Sequence, residues 1–154
     1  LVLARPAWAT LAAPDNMRPN AEVGLLLATM PPAAARDAFL NGAVARQLAA
    51  LAPDNLASLT GFFDRPEPRV TAALLQAISA DGPGVSEVEV AALRVPTLVL
   101  GTEHDLIHPL EHARALATLV PGARLEVITS KAVSRSRYVA EFRAALQGFL
   151  EECP

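Results

Sequence analysis

Cysteine is almost absent from this chain: Cys153, one residue from the C-terminus, is the only one among 154 residues. No intrachain disulfide can form, so the redox compartment stays open and a cytoplasmic setting is the default expectation. Aromatic residues are scarce as well, at 5%, although 52% of the residues are hydrophobic. Much of that apolar content is Ala and Leu, which favours helices over a β-sandwich. Runs of one charge sign are missing too. The 13 basic and 16 acidic residues are interspersed, with a formal charge of −3 and a pI near 5.6, so neither nucleic acid nor an anionic membrane is an expected partner. Charges or prolines interrupt every apolar stretch before the roughly 18 to 20 residues that span a bilayer. These absences together describe a soluble chain about the size of one ordinary domain.

What is present begins with Leu1-Val2-Leu3-Ala4, a buried-strand pattern with no signal-peptide architecture before it, as though the chain opens inside a strand. Arg5-Pro6 closes it. Turn residues at Pro14-Asp15-Asn16 and Pro19-Asn20 precede an apolar helix expected over residues 21 to 30. Pro31-Pro32 can end that helix and open another over residues 33 to 51, bent at Asn41-Gly42. Helices follow over residues 56 to 63 and from Pro68 to residue 78. Ala80-Asp81-Gly82-Pro83-Gly84 is the strongest loop signal and sets the main boundary.

Beyond it Ser86 and Glu89 have capping-box spacing ahead of a short helix ending near Leu93. Pro96-Thr97-Leu98-Val99-Leu100-Gly101 reads as a strand buried on both faces, residues 109 to 119 as an amphipathic helix, and residues 124 to 129 as a further strand. A last helix over residues 138 to 150 carries Phe142, Leu146, Phe149 and Leu150 on one face. Alternating strand and helix implies right-handed crossovers and a parallel sheet. The division expected is a strand at 1–6, a helical segment at 7–84 and an α/β segment at 85–154.

The stretch Arg94-Val95-Pro96-Thr97-Leu98-Val99-Leu100-Gly101-Thr102-Glu103-His104-Asp105-Leu106-Ile107-His108-Pro109 resembles the penultimate strand and acid turn of α/β-hydrolases. The resemblance extends through Ala113-Arg114-Ala115-Leu116-Ala117 and Val120-Pro121-Gly122-Ala123-Arg124-Leu125-Glu126-Val127-Ile128 to the last helix. Leu1-Val2-Leu3-Ala4-Arg5-Pro6 is similar to the strand after the nucleophile helix, where family members often insert a helical cap. The fold class it implies is α/β: a partial α/β-hydrolase fold, a helical cap followed by the C-terminal parallel strands and helices. The activity it implies is serine-hydrolase or esterase chemistry on an ester, amide or related bond of a small apolar substrate, with no cofactor. The alternative is a non-catalytic binding or scaffold relative.

The resemblance puts Asp105 at the acid position. The family's nucleophile sits on a Gly-x-Ser-x-Gly elbow, and Ser58, Ser79, Ser86, Ser130, Ser134 and Ser136 all lack that context. The nucleophile would lie upstream of Leu1, so the expectation is a fragment, or a chain that pairs with a complementary chain or a second copy. The loop after the last strand, where the family carries its histidine, reads Thr129-Ser130-Lys131-Ala132-Val133. Lys131 stands there instead, and a lysine is a poor general base at neutral pH unless burial favours its neutral form. Three readings stay open: a histidine from elsewhere substitutes, with His108 the near candidate; Lys131 acts itself; or the activity is lost. His104, His108 and His112 fall at i, i+4 and i+8, but Pro109 breaks the continuous helix that three ligands on one face require, so no metal is expected. Trp8, Met17 and Met30 are candidates for a cap pocket or for core packing.

Overall fold

The computed structural model describes residues 1–152; Cys153 lies outside them. The chain divides into two compact units, one of Leu1–Thr10 together with the chain from Pro83, the other Leu11–Gly82. Among the described residues no helix is long and apolar enough to cross a membrane.

The first unit is built on a three-stranded parallel sheet of β1 (Val2–Ala4), β2 (Leu98–Thr102) and β3 (Arg124–Ile128), in that spatial order. Leu3 is in register with Val99, and Val99 in turn with Leu125. β2 is central and buried along its whole length, which is why its sequence is continuously apolar rather than alternating. Successive side chains then serve opposite faces. Leu98 and Leu100 pack with Ala145 and Phe149, whereas Val99 packs with Leu110 and Ala113. Residues of this size, fully withdrawn from water, each contribute about 1.5–3 kcal/mol.

Gly101 explains how closely the helix Leu110–Leu119 approaches the sheet. A Cβ there would stand 2.5 Å from Leu110 Cδ1 and 3.0 Å from Ala113 Cβ. The helix Glu87–Ala91 opens on Ser86, whose hydroxyl accepts from Glu89 N–H while the Glu89 carboxylate accepts from Ser86 N–H, as the spacing predicts. The last helix, Arg135–Glu152, starts earlier than residue 138 and presents its face differently. Phe149 is buried, but Leu150 is 58% exposed.

The second unit is helical, with Arg18–Thr29, Pro32–Leu40, Ala43–Leu51, Pro53–Thr60 and Pro68–Ala80, and 3-10 turns at Asp15–Met17 and Gly61–Asp64. The first helix starts at Arg18 rather than residue 21, because Pro19 fits a first helical turn, where an N–H has no partner to lose. The expected helix over residues 33 to 51 is two helices. Asn41 ends the first, its amide Nδ2 donating to the carbonyl of Asp37 at 2.9 Å, and Gly42 begins the next. Pro53 likewise opens a helix three residues before Leu56. Phe39 and Phe63 meet at 5.7 Å between ring centroids, and Val23, Leu48, Leu59 and Leu75 are all but fully buried.

In chain order these helices are α1 (Arg18–Thr29), α2 (Pro32–Leu40), α3 (Ala43–Leu51), α4 (Pro53–Thr60), α5 (Pro68–Ala80), α6 (Glu87–Ala91), α7 (Leu110–Leu119) and α8 (Arg135–Glu152).

Candidate active site

Parallel strands leave their polar machinery at their carboxyl ends, and the loops there carry the ligands of open α/β sheets. In the sheet unit, Arg5 follows β1 directly and Asp105 follows β2 by three residues. The chain leaves both strands through strained backbone. Arg5 has φ of 50° and His104 φ of 56°, the left-handed region that non-glycine residues seldom occupy, at a cost of about 1–3 kcal/mol each. The strain is held by its surroundings: Arg5 N–H donates to the carbonyl of Leu100 at 2.8 Å.

This pair of turns brings two residues 100 positions apart into one ion pair. The Arg5 guanidinium donates to Asp105 Oδ2 through Nε at 2.9 Å and through Nη2 at 2.5 Å. The Asp105 side chain is only 5% exposed, so its charge depends on these partners. The other carboxylate oxygen, Oδ1, accepts backbone N–H bonds from Ile107 at 3.2 Å and His108 at 2.9 Å. His108 Nδ1 stands 3.1 Å from Oδ1 and 3.2 Å from Arg5 Nη2. As an N–H it donates to the carboxylate; as a bare nitrogen it accepts from the guanidinium.

Burial alone would raise the Asp105 pKa. Hydrogen bonding and charge from His108, and then from Arg5, outweigh it and hold the carboxyl well below the usual range. Burial likewise disfavours the Arg5 cation, but Asp105 and then Tyr138 outweigh that and push its pKa up.

Tyr138, near the start of α8, is thus close enough to Arg5 to favour its charged form. Lys131 lies in the turn after β3, exposed, with Nζ 4.8 Å from the Tyr138 ring centroid. His108, Asp105 and Arg5 form one hydrogen-bonded cluster, and Lys131 stands over the Tyr138 ring. Sequence reading singled out Asp105, His108 and Lys131 and missed Arg5 and Tyr138. Arg5 was read only as a strand end and Tyr138 only as the start of a helix; an arginine at the carboxyl end of a parallel strand was the available signal.

The other candidates lie apart. His104 and His108 precede α7, while His112 within it has Nδ1 3.0 Å from the carbonyl oxygen of Ala7. Among the described residues no three His, Cys, Asp or Glu side chains group as metal ligands. Trp8 belongs to the sheet unit, where it lines an apolar recess of about 370 Å³ with Leu1, Leu3, Val85, Val90 and Leu116. Met17 is buried and Met30 is 41% exposed.

No family model matches the chain, and no curated protein does. Solved structures do. MenH from S. aureus matches at a TM-score of 0.64 and 16% identity, covering 99% of this chain and 58% of its own. The enol-lactonase from Burkholderia xenovorans matches at 0.60 and 24%, covering 98% and 55%. An α/β hydrolase from a Medee basin deep-sea metagenome library matches at 0.66 and 16%, covering 99% and 56%. The chain therefore spans a little over half the length of the structures it matches. With its parallel strands, helices on both faces and a helical unit between β1 and β2, the chain carries, in part, the α/β-hydrolase fold.

Proposed function

We propose that this chain supplies the acid turn of an α/β-hydrolase that cleaves an ester, amide or related bond of a small apolar substrate. Asp105 is the acid, His108 is the imidazole it orients, and the nucleophile comes from outside this sequence. The observation that carries the reading is the contact between Asp105 Oδ1 and His108 Nδ1 at 3.1 Å, at the carboxyl end of β2. A carboxylate so placed fixes the ring's tautomer and stabilises the imidazolium formed when Nε2 takes a proton. Held ionised by the Arg5 guanidinium and two backbone N–H groups, Asp105 is in the charge state this role needs. Lys131 is exposed and has no contact with Asp105 among the hydrogen bonds and ion pairs of the described residues, so it takes no part in this reading.

The second reading is a non-catalytic relative that binds rather than cleaves. Its support is the Arg5 guanidinium, which occupies Asp105 Oδ2 through two donors and gives the carboxylate a purely structural partner.

The test is hydrolysis of a short-chain chromogenic ester by the purified protein, with intact and native mass measured on the same material. Turnover with a co-purifying upstream chain, reduced about 10²–10⁴-fold by Asp105→Asn or His108→Gln, supports the hydrolase. A lone 16.2 kDa species without turnover leaves the binding reading.

A further inference from the structure

Two partners of opposite kind meet at one ring nitrogen. His108 Nδ1 stands 3.1 Å from Asp105 Oδ1 and 3.2 Å from Oδ2, and it stands 3.2 Å from Arg5 Nη2. Carboxylate oxygens only accept and a guanidinium only donates, so the two bonds exclude each other. A ring with its proton on Nδ1 bonds to Asp105 and sets a donor against the guanidinium. A ring with its proton on Nε2 bonds to Arg5 and sets a lone pair against the carboxylate. Either bond is charge-assisted, and so about twice as strong as a neutral one; the charge on the partner does not choose between them.

Occupancy tips the balance towards Arg5. An ionised carboxylate has about four lone-pair sites. Arg5 Nε and Nη2 donate to Oδ2, and the N–H groups of Ile107 and His108 donate to Oδ1. These donors reach the carboxylate before the ring is counted. Arg5 Nη2 carries two protons, one for Oδ2 and one for the ring nitrogen. Neither competitor drifts away, because both are held by their own backbone. Arg5 N–H donates to the Leu100 carbonyl at 2.8 Å, and His108 N–H donates to Asp105 Oδ1 at 2.9 Å.

We propose that Arg5 is a positioning residue that competes with Asp105 for His108 Nδ1, so that the neutral ring is populated in both tautomers. With the proton on Nδ1, Nε2 is a bare acceptor, the form a general base needs. With the proton on Nε2, the same edge of the ring is a hydrogen-bond donor. Arg5 therefore withholds part of the imidazole from the base form while it keeps the acid ionised. What the tautomer does rests on the hydrolase reading; which tautomer forms does not.

Nitrogen-15 NMR of the full chain, labelled in its histidine rings and held at alkaline pH where imidazoles are neutral, tests this, since protonated and bare ring nitrogens resonate far apart. His112 is the internal standard: its Nδ1 meets the carbonyl oxygen of Ala7 at 3.0 Å, an acceptor only, and must carry the proton. His108→Gln identifies the His108 signals by their loss. In the parent these are expected between the bare and protonated positions, apart from those of His112. Arg5→Met is expected to move them at least halfway to the His112 values. Arg5→Lys keeps a cation there without the fork and is expected to leave them nearer the parent than Arg5→Met does. A parent His108 ring already at the His112 values overturns the proposal, as do signals that Arg5→Met leaves unmoved. Circular dichroism checks the fold of the variants, and the parent spectrum decides the matter even where Arg5→Met fails to fold. Mixed tautomers without ester turnover remove the hydrolase reading and leave the competition standing; turnover by a protein whose His108 is wholly the Nδ1–H form removes the competition alone.

Discussion

At Asp105 the penalty for burying a carboxylate is offset by contacts from three directions: the Arg5 guanidinium, the His108 ring and the backbone N–H groups of Ile107 and His108. Since the folded pKa is depressed, the resulting stability is present above the unfolded carboxyl value of about 3.9 and is lost as pH falls through that value toward the folded one. Thermal unfolding from pH 6 to pH 2 is therefore expected to show a Tm decline below about pH 4 that is smaller in Asp105→Asn than in the parent. That variant is also expected to be less stable at pH 6, because Arg5 then loses its counter-ion. An identical acid slope in both proteins would mean that other carboxylates govern acid unfolding. Asp105 was visible in the sequence because the stretch from Arg94 to Pro109 resembles the acid turn of α/β-hydrolases. Arg5 was not, because its partner lies 100 positions along the chain and no local period records an ion pair.

Strands and helices were more legible than contacts, since their signals are local. β2 could be read from an apolar run between Pro96 and Gly101, and α6 from the Ser86 and Glu89 spacing, which are the features that make them form. Element ends were read less well where proline has two meanings. Pro19 and Pro53 looked like turn residues but sit in first helical turns, and Asn41-Gly42 looked like a bend but separates two helices. Which face of α8 is covered depends on tertiary packing, so Leu150 was misplaced. Gly101 shows the same limit from the other side: it read as the end of a strand but is the gap that lets α7 lie on the sheet. Gly101→Ala would drive a methyl into Leu110 and Ala113, and overpacking of this kind costs about 1–3 kcal/mol. Urea unfolding is expected to show a lowered midpoint at unchanged m-value; an unchanged midpoint would mean that Leu110 yields without strain.

For the molecule as a whole, the sheet order places β1 at an edge, hydrogen-bonded to β2 alone among the described residues. An edge strand offers a row of unpaired backbone donors and acceptors, and this one has no lysine to blunt it. Leu1 is 48% exposed, and beside the strand lies the apolar recess lined by Leu3, Trp8 and Val90. Edge pairing supplies main-chain hydrogen bonds while the recess supplies apolar burial, so both drive association in the same place. Sedimentation velocity on the 154-residue chain is expected to show species above 16.2 kDa that grow with concentration. Leu1→Lys, which places a charge on that edge, is expected to shift the distribution toward monomer. If the parent is monomeric at tens of micromolar, the free edge is too short to pair. If both proteins associate equally, the contact lies elsewhere, and the exposed Leu150 on α8 becomes the surface to alter next.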